Sequence, residues 1–550
     1  MANAPEERDD DLQKARQSRG NIRTVIRSFA RKFLKSGRAT QHSVHGLPSS
    51  ATARQLGMQT FYVVLGNIFT LAVGLPLQIY VARVIGSVGL GIYGLIDGAI
   101  FTANGFLNLG VAPTMVRFIP SHLERREYGA VRRLLRLGAV ILLAVGGISY
   151  GLFLLAFPYL ENFWPDLADH RYVIATMAVV SPLTLLMYFL QQALRGFREI
   201  RYMILGSSVL QLTTKASATV LAFAVGLRLE GYVAATVLAN LVGVLWMAWG
   251  LKRRVDQLPD NGAEPTAPPL RQWRRYATIC YGNSLLGAAT ARLDRFMLGA
   301  FVDSSAVGVL VVVYQLQQLP QLFYTMLSMV GAPMFAAAHG RGATSERDHL
   351  YALMTDWVVK ASLPLILFLM LFAHPVLALF GPVFADSGTG VLRLLLFAQL
   401  IGLASGPVGT VAMMGGLEHV FLRLNVVQTI IQAVLTVGLA VPFGLVGVAV
   451  ATAAGAVFIA AALLIVVRRQ LGLRWWNERY LGWLAPAAVS AGLGLAALYA
   501  GFPLGAVSLA AILIAIYASF ALVLYIQGLH DDERDLLRHI ANRLVVRNAK

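Results

Sequence analysis

Three ionisable residues crowd one end of an apolar run: in YATICYGNSLLGAATARLDRFMLGA (276–300), Arg292, Asp294 and Arg295 interrupt a stretch otherwise fit for lipid. A charged group in a lipid-embedded helix costs roughly 3 kcal/mol or more unless it snorkels, pairs with an opposite charge or faces a wet cavity. Arg292 and Arg295 share a helical face, and Asp294 continues a polar stripe through Asn283, Gly287 and Thr290 at i, i+4 and i+7. Comparable stripes run through Asn67, Thr70, Gly74 and Gln78, through Asp97, Asn104 and Asn108, and through Gln317, Gln321, Tyr324 and Ser328. Lys215 lies in the middle of another apolar run, too deep for its ammonium to reach either surface, and Asp97 is its candidate partner. Guanidinium groups bind phosphate oxygens bidentately, and carboxamides both donate and accept. Together they suit an anionic, hydroxyl-rich ligand in a hydrated crevice: a lipid-linked sugar phosphate fits, and a simple metabolite anion fits nearly as well. A packing ion pair is the other reading of Lys215 and Asp97, and snorkelling to a nearby interface that of the charges at 292–295.

The elements that position these residues are long apolar helices. The chain has 550 residues, of which 57% are hydrophobic and 13% charged, and a mean hydropathy of +0.64, which excludes a water-soluble globule. Roughly fourteen runs are long enough to cross a hydrocarbon core at 1.5 Å per residue. They centre near residues 70, 100, 148, 184, 214, 241, 288, 322, 370, 402, 434, 457, 492 and 516. The runs are continuous rather than alternating, which excludes an outer-membrane barrel and predicts an all-α integral membrane protein. With the N-terminus cytoplasmic, 39 of the 46 Lys and Arg fall in cytoplasmic segments, and only Arg83, Arg171, Arg228 and Arg393 fall in the opposite loops. Both termini are therefore expected in the cytoplasm of an inner-membrane protein. The net charge of +18 then faces anionic lipid headgroups, and nucleic-acid binding, which would need a soluble basic domain, is not expected. Cys280 is the lone cysteine, so neither a disulfide framework nor a thiolate metal site is available. No cleavable signal peptide is expected, because the first apolar run is long enough to span.

Several segments divide the chain. Residues 1–57 form a basic cytoplasmic region in which Ile22, Val25, Ile26, Phe29 and Phe33 recur at the spacing of an interfacial helix, a disordered basic tail being the alternative. Residues 58–255 form a first lobe of six spans, 256–272 a linker rich in Pro, Gly and acid, and 273–470 a second lobe of six spans. Spans thirteen and fourteen (471–528) lack charges in their apolar stretches and should be peripheral, followed by a cytoplasmic tail (529–550). A repeat crosses the linker: Leu229, Gly231, Ala235 and Thr236 recur as Leu445, Gly447, Ala451 and Thr452, at an offset of 216 (445 − 229). Val88-Gly89 recurs as Val307-Gly308, and Gly196 as Gly416, at similar offsets. Six spans separate equivalent helices, so the lobes should be related by an axis along the membrane normal, with a cleft lined by spans one, two, seven and eight.

Catalysis finds little support. No phosphate-binding Gly-rich loop, His/Cys metal cluster or nucleophile motif is present, and His339, His349 and His374 are isolated, so neither cofactor nor metal is expected. The stretches ARVIGSVGLGIYGLI (82–96), LNLGVAPTMVRFIPSHL (107–123), LRGFREIRY (194–202) and RLDRFMLGAFVDSSAVGVLVVVY (292–314) resemble the polysaccharide transporter family, the O-antigen-flippase-like branch of the multidrug/oligosaccharidyl-lipid/polysaccharide exporter superfamily. The resemblance covers about residues 58–470. It implies two six-helix lobes in alternating access, and a polyprenyl-diphosphate-linked oligosaccharide moved between leaflets. The family's D-x-x-x-L-G signature falls on Asp294, Leu298 and Gly299, and its basic turn on Arg195, Gly196 and Arg198. The equivalent turn in the second half departs from it, with Glu418 where the first half has Arg198. Arg117, Arg195 and Arg198 are expected to attract the diphosphate headgroup. The cavity is expected to use Asn67, Gln78, Asn104, Lys215, Asn283, Arg292, Asp294, Arg295, Gln317 and Gln321. Asp97 is the candidate for coupling to H+ or Na+. A multidrug exporter of the same superfamily and a membrane-embedded polymerase or ligase are the alternatives.

Overall fold

The computed structural model describes residues 50–163, 169–259, 270–290, 292–501 and 504–528, and every regular element among them is helical. The basic region before residue 50, most of the linker and the C-terminal tail lie outside the described residues. All-helical architecture follows from the solvent: in hydrocarbon each backbone N–H and C=O must be satisfied within its own segment. Ten described helices are long and apolar enough to cross a membrane, and the chain is a multi-pass membrane protein. Their outer faces carry residues that water would not tolerate and lipid does, such as Leu155, Val225, Val441 and Ile514, all largely exposed.

The first bundle contains α1 (Ser50–Leu107), α2 (Val111–Glu124), α3 (Tyr128–Phe163), α4 (Arg171–Ala178), α5 (Val180–Gly196), α6 (Ile200–Ile204), a π-helical segment at Leu205–Leu210, α7 (Gln211–Ala224) and α8 (Leu229–Asp256). The remainder comprises α9 (Leu270–Thr290), α10 (Leu293–Phe301), α11 (Ser304–Gly340), α12 (Thr344–Leu371), α13 (Ala373–Ala378), α14 (Pro382–Ala404), α15 (Val408–Met414), α16 (Glu418–Leu471), α17 (Leu484–Tyr499) and α18 (Ala506–Gln527).

Two of the ten long helices each hold more than one span. In α16 the backbone leaves helical geometry at Gly444 (φ 54°, ψ −131°), and the two halves face each other: Gln432 donates to Thr452 at 3.4 Å and Gly455 lies against Gln432 and Gln428. In α1 the break is at Gly86 (φ 72°), with Tyr80 against Phe223 on one side and Tyr93 against Lys215 on the other. Before the break the partners of α1 advance, with Gly66 beside Ile204 and Ser208, Gly74 beside Leu212 and Tyr80 beside Phe223, and after it they return to Lys215, so α1 doubles back. Two further apolar stretches, 200–224 and 270–301, are cut into shorter helices by the π segment and by an interruption after Thr290. Ten helices among the described residues meet the length and hydropathy of a span, against the roughly fourteen runs expected; two of them reverse direction and two further apolar stretches are broken into shorter helices.

The duplication leaves a backbone trace. Left-handed residues recur as Arg126 and Gly342 (342 − 126 = 216), Arg198 and Gly416 (416 − 198 = 218), and Gly226 and Gly444 (444 − 226 = 218). The ends of corresponding helices are thus turned alike in both halves, near the offset seen in the sequence. The last two helices pair with each other and lean on α12 from outside, with Phe520 against Val359 and Leu363, and the Tyr517 hydroxyl donating to the Ala361 carbonyl at 2.9 Å.

Candidate functional site

The bundles meet where the second half of α1 crosses the start of α11. Glycines set the distance: a Cβ on Gly91 would overlap the Ser304 carbonyl, and one on Gly308 the Ser87 carbonyl. Close backbone approach at small residues is how helices associate where water gives no hydrophobic drive. The Ser305 hydroxyl donates to Ser87 across the seam at 2.7 Å, and Leu95, Leu298, Val307, Leu310, Ala440 and Val448 form a closed apolar cluster beside it.

The charges of the 292–295 stretch lie on this seam. Arg295 is buried and reaches Asp97 of the other bundle at 3.6 Å. Arg292 places its guanidinium 4.7 Å from the Phe101 ring centre, also in the other bundle. Both arginines keep a buried Nε with no hydrogen-bond partner. They clasp the bundles together, which snorkelling side chains could not do.

Asp294 does not continue the stripe from Asn283 along one helix. The helix is interrupted between Thr290 and Leu293, and Asp294 opens a new one. Its carboxylate turns into the second bundle, where it accepts from the Tyr314 hydroxyl and, at 2.8 Å, from the Arg295 N–H. A chain of hydrogen bonds runs inward from there: Tyr314 to Thr452 at 3.2 Å, Gln432 to Thr452 at 3.4 Å, Gln428 to Gln432 at 3.3 Å. The side chains of Asn283, Gly287 and Thr290 lie outside the described residues.

Lys215 and Asp97 are not partners. The Lys215 ammonium donates to the Tyr93 hydroxyl at 3.3 Å and lies over two rings, 4.4 Å from the Tyr232 centre and 5.2 Å from that of Tyr93. Two aromatic faces replace the expected carboxylate, while Asp97 is drawn to the arginine of the opposite bundle. The π segment before α7 inserts an extra residue and re-aims the helix beyond it, so the Lys215 face meets α1 and α8. Asn104 is also committed within the first bundle: its amide donates to Thr184 at 2.7 Å and to the Ser181 carbonyl at 3.2 Å, and accepts from the Ser181 hydroxyl at 2.7 Å. A ligand in the cleft would have to displace these bonds. Asn67 and Gln78 are half-buried and hydrogen-bond to none of the described residues.

Toward the other end of the first bundle, Gly196 packs on Met115 and Ile119, so the turn that carries Arg195 and Arg198 lies against α2, which carries Arg117. Arg117 stacks over Tyr276 at 4.5 Å, and Arg198 stands exposed on a left-handed turn (φ 61°). Trp273, just past the linker, buries its ring in the first bundle and donates to Thr114 at 2.8 Å. The first part of span seven is thus bound to one bundle and α10 to the other.

Gln317 and Gln321 line a cavity of about 400 Å³ inside the second bundle, between α11, α14 and both halves of α16. Gln399 and Asn425 share it; Gln399 is a lone amide in its run, whereas Asn425 opens a stripe with Gln428 and Gln432 at i, i+3 and i+7 that is missing from the cavity residues expected from sequence. A buried pair is inconspicuous: Lys360, which falls with the basic loop when the sequence is divided into spans, lies in α12 and bonds the fully buried Asp356 at 2.8 Å, which also accepts from Trp483 at 2.8 Å.

Two bundles of apolar helices, closed on each other at a glycine seam and bridged by interlobe charges, define a multi-pass helical membrane protein. The family model for polysaccharide biosynthesis proteins matches residues 56–339, and the chain belongs to that family. Solved structures with this fold include the lipid II flippase MurJ in an inward closed conformation (12% identity, 87% of this chain and 99% of that one, TM-score 0.64). They also include an inward-facing multidrug resistance MATE family transporter of the MOP superfamily (18% identity, 74% and 94%, TM-score 0.60). A third is a MOP superfamily transporter from Pyrococcus furiosus (16% identity, 80% and 98%, TM-score 0.54). No curated protein matches the chain in sequence.

Proposed function

We propose that this protein is a flippase of the inner membrane that carries a polyprenyl-diphosphate-linked oligosaccharide from the cytoplasmic to the outer leaflet, for surface polysaccharides such as O-antigen or exopolysaccharide. The observation that carries the reading is the seam: α1 and α11 close on each other at Ser87, Gly91, Ser305 and Gly308 at one end, and Arg295 and Arg292 bridge the bundles deeper in, near the middle of the second half of α1, through Asp97 and Phe101. At the other end the exposed arginines of α2 and α5 ring the way in. With that basic end in the cytoplasm, as the Lys and Arg asymmetry favours, the protein is closed outward and ready to load. Arg117, Arg195 and Arg198 draw the diphosphate, the sugars enter between the bundles, and the prenyl chain stays in lipid. Breaking the clasp lets the outer end open and hands the two seam arginines to the passing diphosphate. Asp97 is the point at which H+ or Na+ would act, because neutralising it removes the carboxylate that holds Arg295.

Reconstitution with a fluorescent polyprenyl-diphosphate sugar and a leaflet-specific reagent tests the reading. Protein-dependent loss of protection is expected. Extrusion of cationic dyes without movement of the lipid would favour a multidrug exporter, and glycan chain growth with purified protein a polymerase or ligase.

A further inference from the structure

The cavity inside the second bundle has no part in the charge-based route of the diphosphate. Its polar groups are all uncharged, with Gln318 and Ser405 beside Gln317, Gln321, Tyr324, Gln399 and Asn425. Their hydrogen-bonding capacity is largely unspent. Gln399 is 8% exposed and its Oε1 is buried without a partner, while its amide nitrogen makes only a long 3.5 Å bond to Gln321. Asn425 donates to the Phe421 carbonyl at 2.8 Å and keeps its own oxygen available. Gln317 and the Tyr324 hydroxyl bond to none of the described residues. A buried carboxamide oxygen left unpaired costs on the order of 1–3 kcal/mol, so the site is built for something that donates to it. The Phe421 ring supplies an apolar wall, and Gly402, where a Cβ would meet open space, leaves the interior empty. Ligand cavities begin at roughly 300 Å³. The ligand class is therefore small, uncharged and rich in hydroxyls, with one apolar face.

We propose that this cavity binds an uncharged sugar residue of the carried glycan, holding it while the diphosphate engages the arginines. The proposal rests on the flippase reading. It assigns the two ends of one substrate to different bundles: the anionic group to the seam and basic end, the neutral sugar to the interior of the second bundle. The neutral lining would also select against a uronic acid at that position, whose carboxylate would be buried without a cation.

The full-length protein in proteoliposomes tests this with two fluorescent polyprenyl-diphosphate donors, one bearing a single hexose and one a neutral oligosaccharide. Gly402→Leu fills the cavity from a helical position with room for it. It should slow the oligosaccharide donor about tenfold or more and leave the single-hexose donor within roughly twofold. Gln399→Leu should weaken the oligosaccharide donor roughly two- to tenfold. Unfolding temperatures of both variants close to the parent's would show that they fold. Equal rates for both donors in Gly402→Leu and parent would overturn the sugar site while leaving flipping intact. If the parent moves neither donor, the flippase reading fails instead, and the cavity is judged by calorimetric binding of the free neutral oligosaccharide. Binding lost in Gly402→Leu supports it; absent binding, or binding unchanged by the variant, overturns it.

Discussion

The Asp97–Arg295 contact spans the two bundles at 3.6 Å with the arginine nearly buried and the carboxylate partly exposed. Partial exposure screens such a pair to about 1 kcal/mol, enough for a roughly fivefold change in a two-state population. Asp97→Asn is thus expected to raise the outward-open fraction by about that factor, read by labelling of a cysteine placed at the seam. Arg292→Ala and Arg295→Ala should each slow flipping by about tenfold; unaltered flipping would remove both from the substrate path. A second test concerns the buried Asp356 and Lys360 of α12. Removing one partner of a buried pair costs about 3–5 kcal/mol, whereas replacing both by apolar groups is often near neutral. Asp356→Leu alone should depress the unfolding temperature in detergent well below that of the Asp356→Leu, Lys360→Met double variant. The ionisable residues at 292–295 were legible because charge in an apolar run stands out. Their partners were not: Asp97 lies 198 residues from Arg295 (295 − 97), and Tyr93 and Tyr232 read as ordinary core aromatics. Asn104 shows the limit of a polar stripe, since the spacing that faces a cleft equally faces Ser181 and Thr184 in a neighbouring helix.

Among the elements, the apolar runs and the peripheral place of α17 and α18 could be read from hydropathy alone, because lipid imposes length and continuity on every span. The interruptions could not. Nothing in LLGAATARLD marks a helix end at Thr290, and no spacing marks the π segment at 205–210, where Gly206 packs against Met247 and Trp246 of α8. Glycine gives the sharper element-level test. Gly444 holds φ 54° and ψ −131°, a region that side chains with a Cβ avoid at a cost of about 1–3 kcal/mol. Gly444→Ala should lower the thermal stability of the whole chain by that amount without altering cargo preference. At the seam the cause differs, since Gly91 and Gly308 are helical and a methyl there meets backbone carbonyls of the opposite bundle. Gly308→Ala should lower stability through the seam contacts it breaks and prop the seam open. Greater accessibility of residues around Leu95 to a thiol reagent would show it, and unchanged accessibility would mean that the contact gives way elsewhere.

For the whole molecule, the proposed transport requires that the seam be transient. Ser87 and Ser305 approach to 2.7 Å between their hydroxyl oxygens, one on each bundle. Cysteines at both positions would come within disulfide reach in this conformation and part in the opposite one. Cys280 is the sole native thiol, so a Cys280→Ser background isolates the pair. Oxidised Ser87→Cys, Ser305→Cys protein should stop moving a lipid-linked sugar, recover on reduction, and still bind the donor from the basic end. The single-cysteine proteins should be insensitive to oxidant. Sustained transport in a fully crosslinked sample would show that cargo passes without separation of α1 from α11, and alternating access about this seam would fall. Loss of binding together with transport would instead place the loading site between the two seam helices rather than among the arginines of α2 and α5. The two outcomes separate a clasp that gates the route from one that is itself the site.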